Sequence, residues 1–498
     1  MKKLGMLLLL LSLSLIACDD VSDEYVEDIF DEPVADEADL AEEDVDVNDR
    51  EGAETAVAAT NSFQFTDCPF DAPAEIECGY LTVPEDRSSA DSRTIELAVA
   101  IVAAPAGGSE PPVVYLAGGP GGSGLDDYAT DPESWEYPFL QNRDLILLDQ
   151  RGTGYSEPTL DCPEFAEVDE QENPDALCYE RLIDEGINLM AYNTRENAAD
   201  VADLRTALGI VEWDLLGISY GTRLALEVMR NHPQGVRAVI LDSPFPPNAD
   251  TPVDEVYSVT DALAELFADC ERDAYCSENY PNLEAVFFET VQRLNEDETA
   301  EIYGDDLVFA LSSAFNDTEL IPLLPYVIYE VANDNFDALD EISSADGFAR
   351  TQYQDDEDRS DSEGMYNSVI CHDEYALGDY ERVETAVIGN IPVELEGALL
   401  QSTFDLVSLC EYWNPMTAVD NMAVSSPIPT LILVGQYDVA TPPRWATLTA
   451  ATLPNSYLFL VPGAGHSLLS SVECTVSLGD AFSENSNYSP VAVCRDEI

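Results

Sequence analysis

Three residues in this chain of 498 have the types and settings needed to activate a hydroxyl for attack on a carbonyl carbon. Ser219 is the centre of Gly217-Ile218-Ser219-Tyr220-Gly221. That stretch follows the apolar run Trp213-Asp214-Leu215-Leu216 and passes at once into residues 222–230, whose apolar positions recur at helical spacing. Strand, sharp turn and helix together make a nucleophile elbow, in which the turn strains the serine backbone and exposes its Oγ. A bare match to the five-residue pattern, without those flanks, would carry little weight. A serine hydroxyl is a poor nucleophile until a base takes its proton, and the base needs an acid to orient it. Only three histidines can supply the base. His232 lies at the far end of the elbow helix, and His372 follows a cysteine in a helical region. His466 follows an apolar strand in Gly463-Ala464-Gly465-His466-Ser467, a loop that can reach the same sheet edge as Ser219, and is the candidate base; the competing reading is a surface histidine. Asp438 sits directly after the preceding strand, in Gly435-Gln436-Tyr437-Asp438, and is the candidate acid, with Asp242 at the end of an earlier strand as the alternative.

The oxyanion formed at an attacked carbonyl needs two hydrogen-bond donors. One is the backbone N–H of Tyr220, just after the nucleophile. The other is expected from Gly118-Gly119-Pro120-Gly121-Gly122-Ser123-Gly124, which follows the buried strand Val113-Val114-Tyr115-Leu116-Ala117. Gly119 is the candidate, with Gly118 as the near alternative, because a glycine-rich turn lets backbone N–H groups approach a ligand closely. The same turn could cradle a phosphate, but no Gly-Lys-Ser/Thr follows it and the local charge is negative.

These residues need a sheet whose strands end side by side. Residues 78–86 and 94–102 alternate as antiparallel entry strands. Residues 113–117, 145–149, 213–218 and 236–242 are apolar runs, and a helix is expected over residues 194–208 between two of them. Strands alternating with helices in this way argue for a mainly parallel sheet. From about residue 244 to 426 the pattern becomes helical, with Asp- and Glu-rich loops, and strand signals return at 428–435 and 457–461. The simplest account is a core of residues 61–243 and 427–498, with residues 244–426 inserted between sheet strands as a helical cap.

Composition places the chain outside the cytoplasm and away from nucleic acid. Lys2 and Lys3 precede the apolar run from Leu7 to Ile16, which is too short to span a bilayer, so residues 1–18 form a targeting segment. Its ending, Leu15-Ile16-Ala17-Cys18, resembles a bacterial lipobox, and by that resemblance Cys18 is the lipidated first residue of the mature chain; an ordinary secretory signal is the alternative. Residues 19–60 are rich in Asp, Glu, Ala and Val and cannot bury enough apolar surface to fold; they form an acidic tether. Asp and Glu number 99 against 20 Lys and Arg, with no Lys after Lys3. Such a chain cannot neutralise phosphates. The acid excess fits a protein kept soluble in salty surroundings, although an acidic composition unrelated to salt would look the same. With Cys18 assigned to lipid, ten of the 11 cysteines are left. An even number in an exported chain implies disulfides. Connectivity does not follow from sequence, but proximity favours Cys68–Cys78, Cys162–Cys178, Cys270–Cys276, Cys371–Cys410 and Cys474–Cys494. No cysteine has metal-site spacing with histidine, and no metal or cofactor is expected.

Several motifs stand in a telling order: the glycine-rich turn, Asp149-Gln150-Arg151-Gly152-Thr153-Gly154-Tyr155-Ser156, the Ser219 elbow, Gly435-Gln436-Tyr437-Asp438 through Thr441-Pro442-Pro443, and Gly465-His466. Together they resemble the prolyl-aminopeptidase family of serine peptidases, which are α/β-hydrolases with the chain order Ser, Asp, His. Cys270 to Cys276, Ser368-Val369-Ile370-Cys371, Cys410-Glu411-Tyr412-Trp413, Cys474 and Cys494 resemble its tripeptidyl-aminopeptidase-like branch more closely. The resemblance runs over roughly residues 64–498. It implies cleavage near the free N-terminus of short peptides through an acyl-enzyme. Ala117 stands where prolyl aminopeptidases usually carry histidine, so strict proline specificity is not implied. The family also places an acidic residue near Cys371, which makes Glu374, and after it Asp373, the candidates to bind the substrate's ammonium group. The expected molecule is a monomer-sized, exported, lipid-anchored serine peptidase. Other readings open to the sequence are an esterase on the same triad and a non-catalytic binding lipoprotein.

Overall fold

The computed structural model describes residues 62–73, 76–167, 173–297, 299–342, 359–375, 379–413 and 421–490. The targeting segment, Cys18, the acidic tether and Cys494 lie outside these residues. The described chain is built on one sheet of nine strands: β1 (Ser62–Thr66), β2 (Ile76–Pro84), β3 (Thr94–Val102), β4 (Val113–Leu116), β5 (Leu145–Leu148), β6 (Trp213–Ile218), β7 (Val236–Asp242), β8 (Thr430–Gly435) and β9 (Ser456–Val461). Their order is β1-β2-β3-β5-β4-β6-β7-β8-β9. The first three strands enter antiparallel, β3 pairs antiparallel with β5, and every later pair is parallel. The sequence reading lacked only β1, a half-exposed strand with no buried run to mark it.

Central strands such as β4, β5 and β8 are buried along their whole length, which is why they read as unbroken apolar runs and not as alternation. Alternate residues divide the core in two. Val114, Leu116, Leu215, Val239 and Ile432 face one layer, with Ala198, Val201 and Leu224; Val113, Tyr115, Leu216, Ile240 and Leu433 face the other, with Leu125, Leu478 and Phe482. Each such fully buried aliphatic side chain contributes about 1.5–3 kcal/mol relative to exposure, so a register slip in any central strand would be costly.

The helices before β7 are α1 (Gly124–Thr130), α2 (Glu164–Glu167), α3 (Pro174–Asp184), α4 (Thr194–Ala207) and α5 (Tyr220–Asn231). Between β7 and β8 come α6 (Thr251–Arg272), α7 (Ala274–Asn279), α8 (Leu283–Glu296), α9 (Gly304–Ala314), α10 (Leu324–Ala332), α11 (Glu363–Asp373), α12 (Asp379–Val387) and α13 (Val393–Tyr412). After β8 come α14 (Pro443–Ala450), α15 (Leu468–Ser471) and α16 (Glu473–Glu484). Among the described residues, those between β7 and β8 form no strand, and they build a core of their own around Phe287, Leu311, Phe315 and Val327. Tyr437 and Val439, on either side of Asp438, are buried in that same cap core.

Four of the favoured disulfides are present: Cys68–Cys78, Cys162–Cys178, Cys270–Cys276 and Cys371–Cys410. Cys474 is also disulfide-bonded, and Cys494, its expected partner, lies outside the described residues. Among the described residues no helix is long and apolar enough to cross a membrane.

Candidate active site

Ser219 joins β6 to α5 with φ 55° and ψ −124°, a conformation L side chains rarely adopt. Strain of this kind costs on the order of 1–3 kcal/mol and persists only where its surroundings fix it. Here the Ser219 N–H donates to Asp242 O at 3.0 Å, while Ser219 O accepts from the Thr222 N–H at 2.9 Å and from Thr222 Oγ1 at 2.6 Å. The neighbouring glycines are required by close approach: a Cβ on Gly221 would lie 1.9 Å from Leu116 O, and one on Gly217 would lie 2.4 Å from Gly221 O.

His466 Nδ1 lies 3.0 Å from each oxygen of Asp438. The Asp438 carboxylate also accepts from the Thr441 N–H at 2.7 Å and from Thr441 Oγ1 at 2.8 Å. An ionised carboxylate only accepts, so Nδ1 carries the proton and Nε2 is the ring atom left to receive one. Burial alone would lower the affinity of His466 for a proton, but the adjacent Asp438 charge and its hydrogen bond outweigh burial and hold it above the ordinary histidine value. The alternative acid, Asp242, has a different task. Its two oxygens accept the N–H groups of Leu468 and Leu469 at 3.0 and 2.8 Å, so it holds the start of α15 just past the histidine and not the ring. Full burial pushes its carboxyl up to about 6, which these backbone donors partly offset.

The cap also grips this corner, which sequence reasoning did not find. Asn316 O accepts the His466 N–H at 2.9 Å, Thr318 Oγ1 accepts the Gly465 N–H at 3.1 Å, and Phe315 stacks on Tyr437 with centroids 5.7 Å apart. Thr441 had entered only as part of a motif; its position three residues after an aspartate in a loop is the local signal that could have singled it out.

Tyr220 is the first residue of α5, so its N–H has no intrahelical acceptor. Across from it, Gly118 packs on the nucleophile, a Cβ there lying 3.1 Å from Ser219 Cβ, and Gly119 follows with φ 102°. The turn is held from β5. Asp149, fully buried, accepts from Ser123 Oγ at 2.9 Å, Leu125 N at 3.0 Å and Tyr155 N at 2.8 Å, and Gln150 Nε2 donates to Ala117 O at 3.0 Å. The motif beginning at Asp149 is therefore the support of the glycine-rich turn.

Of the two acids following Cys371, Asp373 is committed internally. One oxygen pairs with His372 Nδ1 at 2.8 Å, and the other accepts from Thr194 N at 3.1 Å and Thr194 Oγ1 at 2.5 Å, so both oxygens of this substrate-binding candidate already have partners within the protein. Glu374 is ion-paired with Arg223, one helical turn past Ser219, and accepts from Thr251 Oγ1 at 2.6 Å; among the described residues no donor is aligned on its Oε1. Glu255, which the sequence reading missed as one acid among 99, lies half-buried near it and accepts from Tyr375 OH at 2.5 Å. Burial raises both glutamates to about 7; at Glu255 the nearby Asp254 charge adds to it and the Tyr375 hydrogen bond offsets it in part, while at Glu374 the charges of Asp373 and Glu255 add to it and Arg223 and Thr251 offset it in part.

Comparison with known proteins agrees with the fold. Residues 111–279 match the family model for the alpha/beta hydrolase fold, and residues 400–489 match the model for TAP-like proteins. The chain is 27% identical over 435 residues to the serine protease Hip1 of Mycobacterium tuberculosis, covering 78% of this chain and 81% of that protein. It is 32% identical over 231 residues to a tripeptidyl aminopeptidase of Streptomyces lividans, covering 41% and 42%. A probable proline iminopeptidase of Leptolyngbya boryana is 26% identical over 360 residues, covering 72% and 82%.

Proposed function

We propose, for a chain that belongs to the α/β-hydrolase family with a TAP-like C-terminal region, that this serine hydrolase is an aminopeptidase releasing short N-terminal peptides or residues through an acyl-enzyme on Ser219. The observation that carries the reading is the His466–Asp438 contact at 3.0 Å on the loops after β9 and β8, on the same sheet whose β6 carries Ser219. Ser219 Oγ attacks the scissile carbonyl while His466 Nε2 takes its proton, and the Asp438 charge stabilises the imidazolium. The oxyanion is received by the N–H groups of Tyr220 and Gly119. His466 then gives its proton to the leaving amine as the C–N bond breaks, and water releases the acyl group by the same steps in reverse order.

Preference for a free N-terminus is supported by the charge balance around Glu374. Arg223 pairs with Glu374, while the charge of Glu255 also acts on Glu374, so an incoming ammonium group would balance the further carboxylate. Glu374 is the direct anchor. Glu374→Gln should raise KM for free-amine peptides by roughly tenfold, about 1.4 kcal/mol, and leave amino-blocked esters unchanged. The deciding experiment is a panel of aminoacyl, dipeptidyl and tripeptidyl amides, with and without a blocked amino group, beside simple esters. Turnover of free-amine peptides alone supports the proposal; equal ester turnover points to an esterase, and no turnover to a binding protein. We further propose export and lipid anchoring at Cys18, with short peptides as substrates, the monomer as the working form and a bacterial membrane as its site. Four disulfides among the described residues are consistent with an oxidising compartment. Intact mass of the native protein, with or without the lipid increment at Cys18, checks the anchor.

A further inference from the structure

The two oxyanion donors lie on different parts of the chain, one after β4 and one at the start of α5, and a single cap segment touches the supports of both. At its N-terminal end, the segment before α11 runs beside the glycine-rich turn: Ser123 N–H donates to Ser360 O at 2.9 Å, and Ser362 N–H donates to Gly121 O at 3.1 Å. The approach is close enough that a Cβ on Gly121, whose φ is 111°, would lie 2.6 Å from Ser362 O. Arg359 fixes the same segment to the neighbouring loop, donating to Gly154 O at 3.1 Å and lying 5.2 Å over the Tyr155 ring.

At its C-terminal end, α11 reaches the residue after the nucleophile. Asp373 accepts the Thr194 hydroxyl at 2.5 Å, and Thr194 Oγ1 is also 2.9 Å from Tyr220 OH. A hydroxyl has one proton, and a carboxylate can only accept. The Thr194 proton therefore goes to Asp373, so the Tyr220 hydroxyl must donate to Thr194, while Asn197 Nδ2 donates to Tyr220 OH at 3.4 Å. This chain of donors runs one way only and ends on a buried charge, which fixes the Tyr220 ring and, through its Cα, the plane of the Ser219–Tyr220 peptide. The Cys371–Cys410 disulfide ties this end of α11 to α13.

We propose that residues 359–374 form a brace that sets the spacing of the two oxyanion donors from the cap side, with Thr194 and Asp373 as positioning residues at the Tyr220 end and Ser362 at the Gly119 end. The proposal rests on the reading of Ser219 as nucleophile and not on the aminopeptidase assignment. It gives the cap a role in transition-state binding apart from substrate selection. Tyr220 itself is served twice, by its N–H at the reacting oxygen and by its hydroxyl at the brace.

The test uses the full chain, a p-nitrophenyl ester and a boronic acid inhibitor, with each preparation normalised by active-site titration. Tyr220→Phe and Thr194→Val should each lower kcat by roughly tenfold or more with KM within about twofold, the signature of an interaction made mainly in the transition state. Affinity for the boronic acid, whose tetrahedral adduct occupies the oxyanion site, should fall in parallel. Thr194→Ser, which keeps the hydroxyl, should restore kcat, and the Tyr220→Phe/Thr194→Val double variant should be little worse than either single one, because both remove the same link. A kcat within twofold of the parent in Tyr220→Phe, or a loss that appears in KM alone, would overturn the brace. Tyr220→Phe keeps the ring and the backbone donor, so it decides the matter even if Thr194→Val fails to fold. Turnover surviving in Ser219→Ala would instead overturn the nucleophile reading, and the brace with it.

Discussion

Asp438 and Asp242 are both buried aspartates at strand ends near His466, yet only one meets the ring. Asp438 lies 3.0 Å from Nδ1, whereas Asp242 is spent on the backbone of Leu468 and Leu469. Asp438→Asn should therefore lower kcat by about three to four orders of magnitude, in line with a triad acting as a unit, as should Ser219→Ala and His466→Ala. Asp242→Asn should mainly reduce thermal stability, because it weakens the seat of the histidine loop; equal losses of kcat in the two asparagine variants would reverse the assignment. The pH profile follows from the same contact. Burial pulls His466 down, and the charge and hydrogen bond of Asp438 together with the charge of Asp242 pull it up by more, so the ring holds its proton to a higher pH than an ordinary histidine. The base must be neutral to act, so kcat/KM should rise with pH through an apparent pKa above 6.5 and then level. In Asp438→Asn the residual activity should titrate at a lower pH, since the Asp438 charge is lost and only the charge of Asp242 is left to oppose burial; an unchanged midpoint would mean that another group controls the limb.

The elements that carry the site differ in how far sequence shows them. The central strands were legible because both faces are buried, and each leaves an apolar run bounded by glycine, proline or aspartate. The elbow was legible because close approach to Leu116 admits only glycine at 221, and that requirement is written locally. The cap's grip on the site was not. Asn316 O holds the His466 N–H from 150 positions away, through a backbone atom that any residue type could supply. Helical periodicity marks a buried face but not its partner, so the packing of Tyr437 on Phe315 and the path of α11 had no sequence signal. The partners of Asp373 had no sequence signal either: an acid after a disulfide cysteine shows nothing of the Thr194 and His372 that lie against it. Gly465 offers a test at this scale. A Cβ there would lie 2.4 Å from Phe315 O and 2.8 Å from Asn316 O, both backbone atoms that cannot swing aside. Gly465→Ala should displace the histidine loop and lower kcat by roughly 10²-fold, the sensitivity expected of a displacement of about 1 Å. Activity near that of the parent would show that the cap contact does not set the position of His466.

Over the whole molecule, covalent links and charge act in opposite directions. The four described disulfides and the bonded Cys474 restrict the unfolded chain, and intact mass before and after reduction and alkylation should register five bridges, the fifth closing on Cys494. A free thiol at either Cys474 or Cys494 would break that pairing. Against these links stands a formal charge of −79, with 99 acids and 20 bases. Several acids share one cation: Arg87 alone meets Glu196, Asp200 and Asp203 within 2.7 Å. Ions screen both attraction and repulsion, so the sign of a salt effect depends on which pairs are more numerous. With acids in fivefold excess, most pairs of neighbouring charges on the surface repel, and the partly buried arginine contacts are the less screened of the two classes. Added salt should therefore stabilise the fold. The Debye length falls from about 10 Å at 0.1 M to about 3 Å at 1 M, so relief of repulsion should be nearly complete by the upper value. Tm measured by calorimetry should climb steeply as NaCl is raised from low concentration towards about 1 M and flatten beyond it. A climb that continued linearly into multimolar salt, and was matched by an uncharged osmolyte, would mark exclusion of solute from the surface as the cause. A flat or falling curve would mean that the acid excess does not limit the stability of this fold.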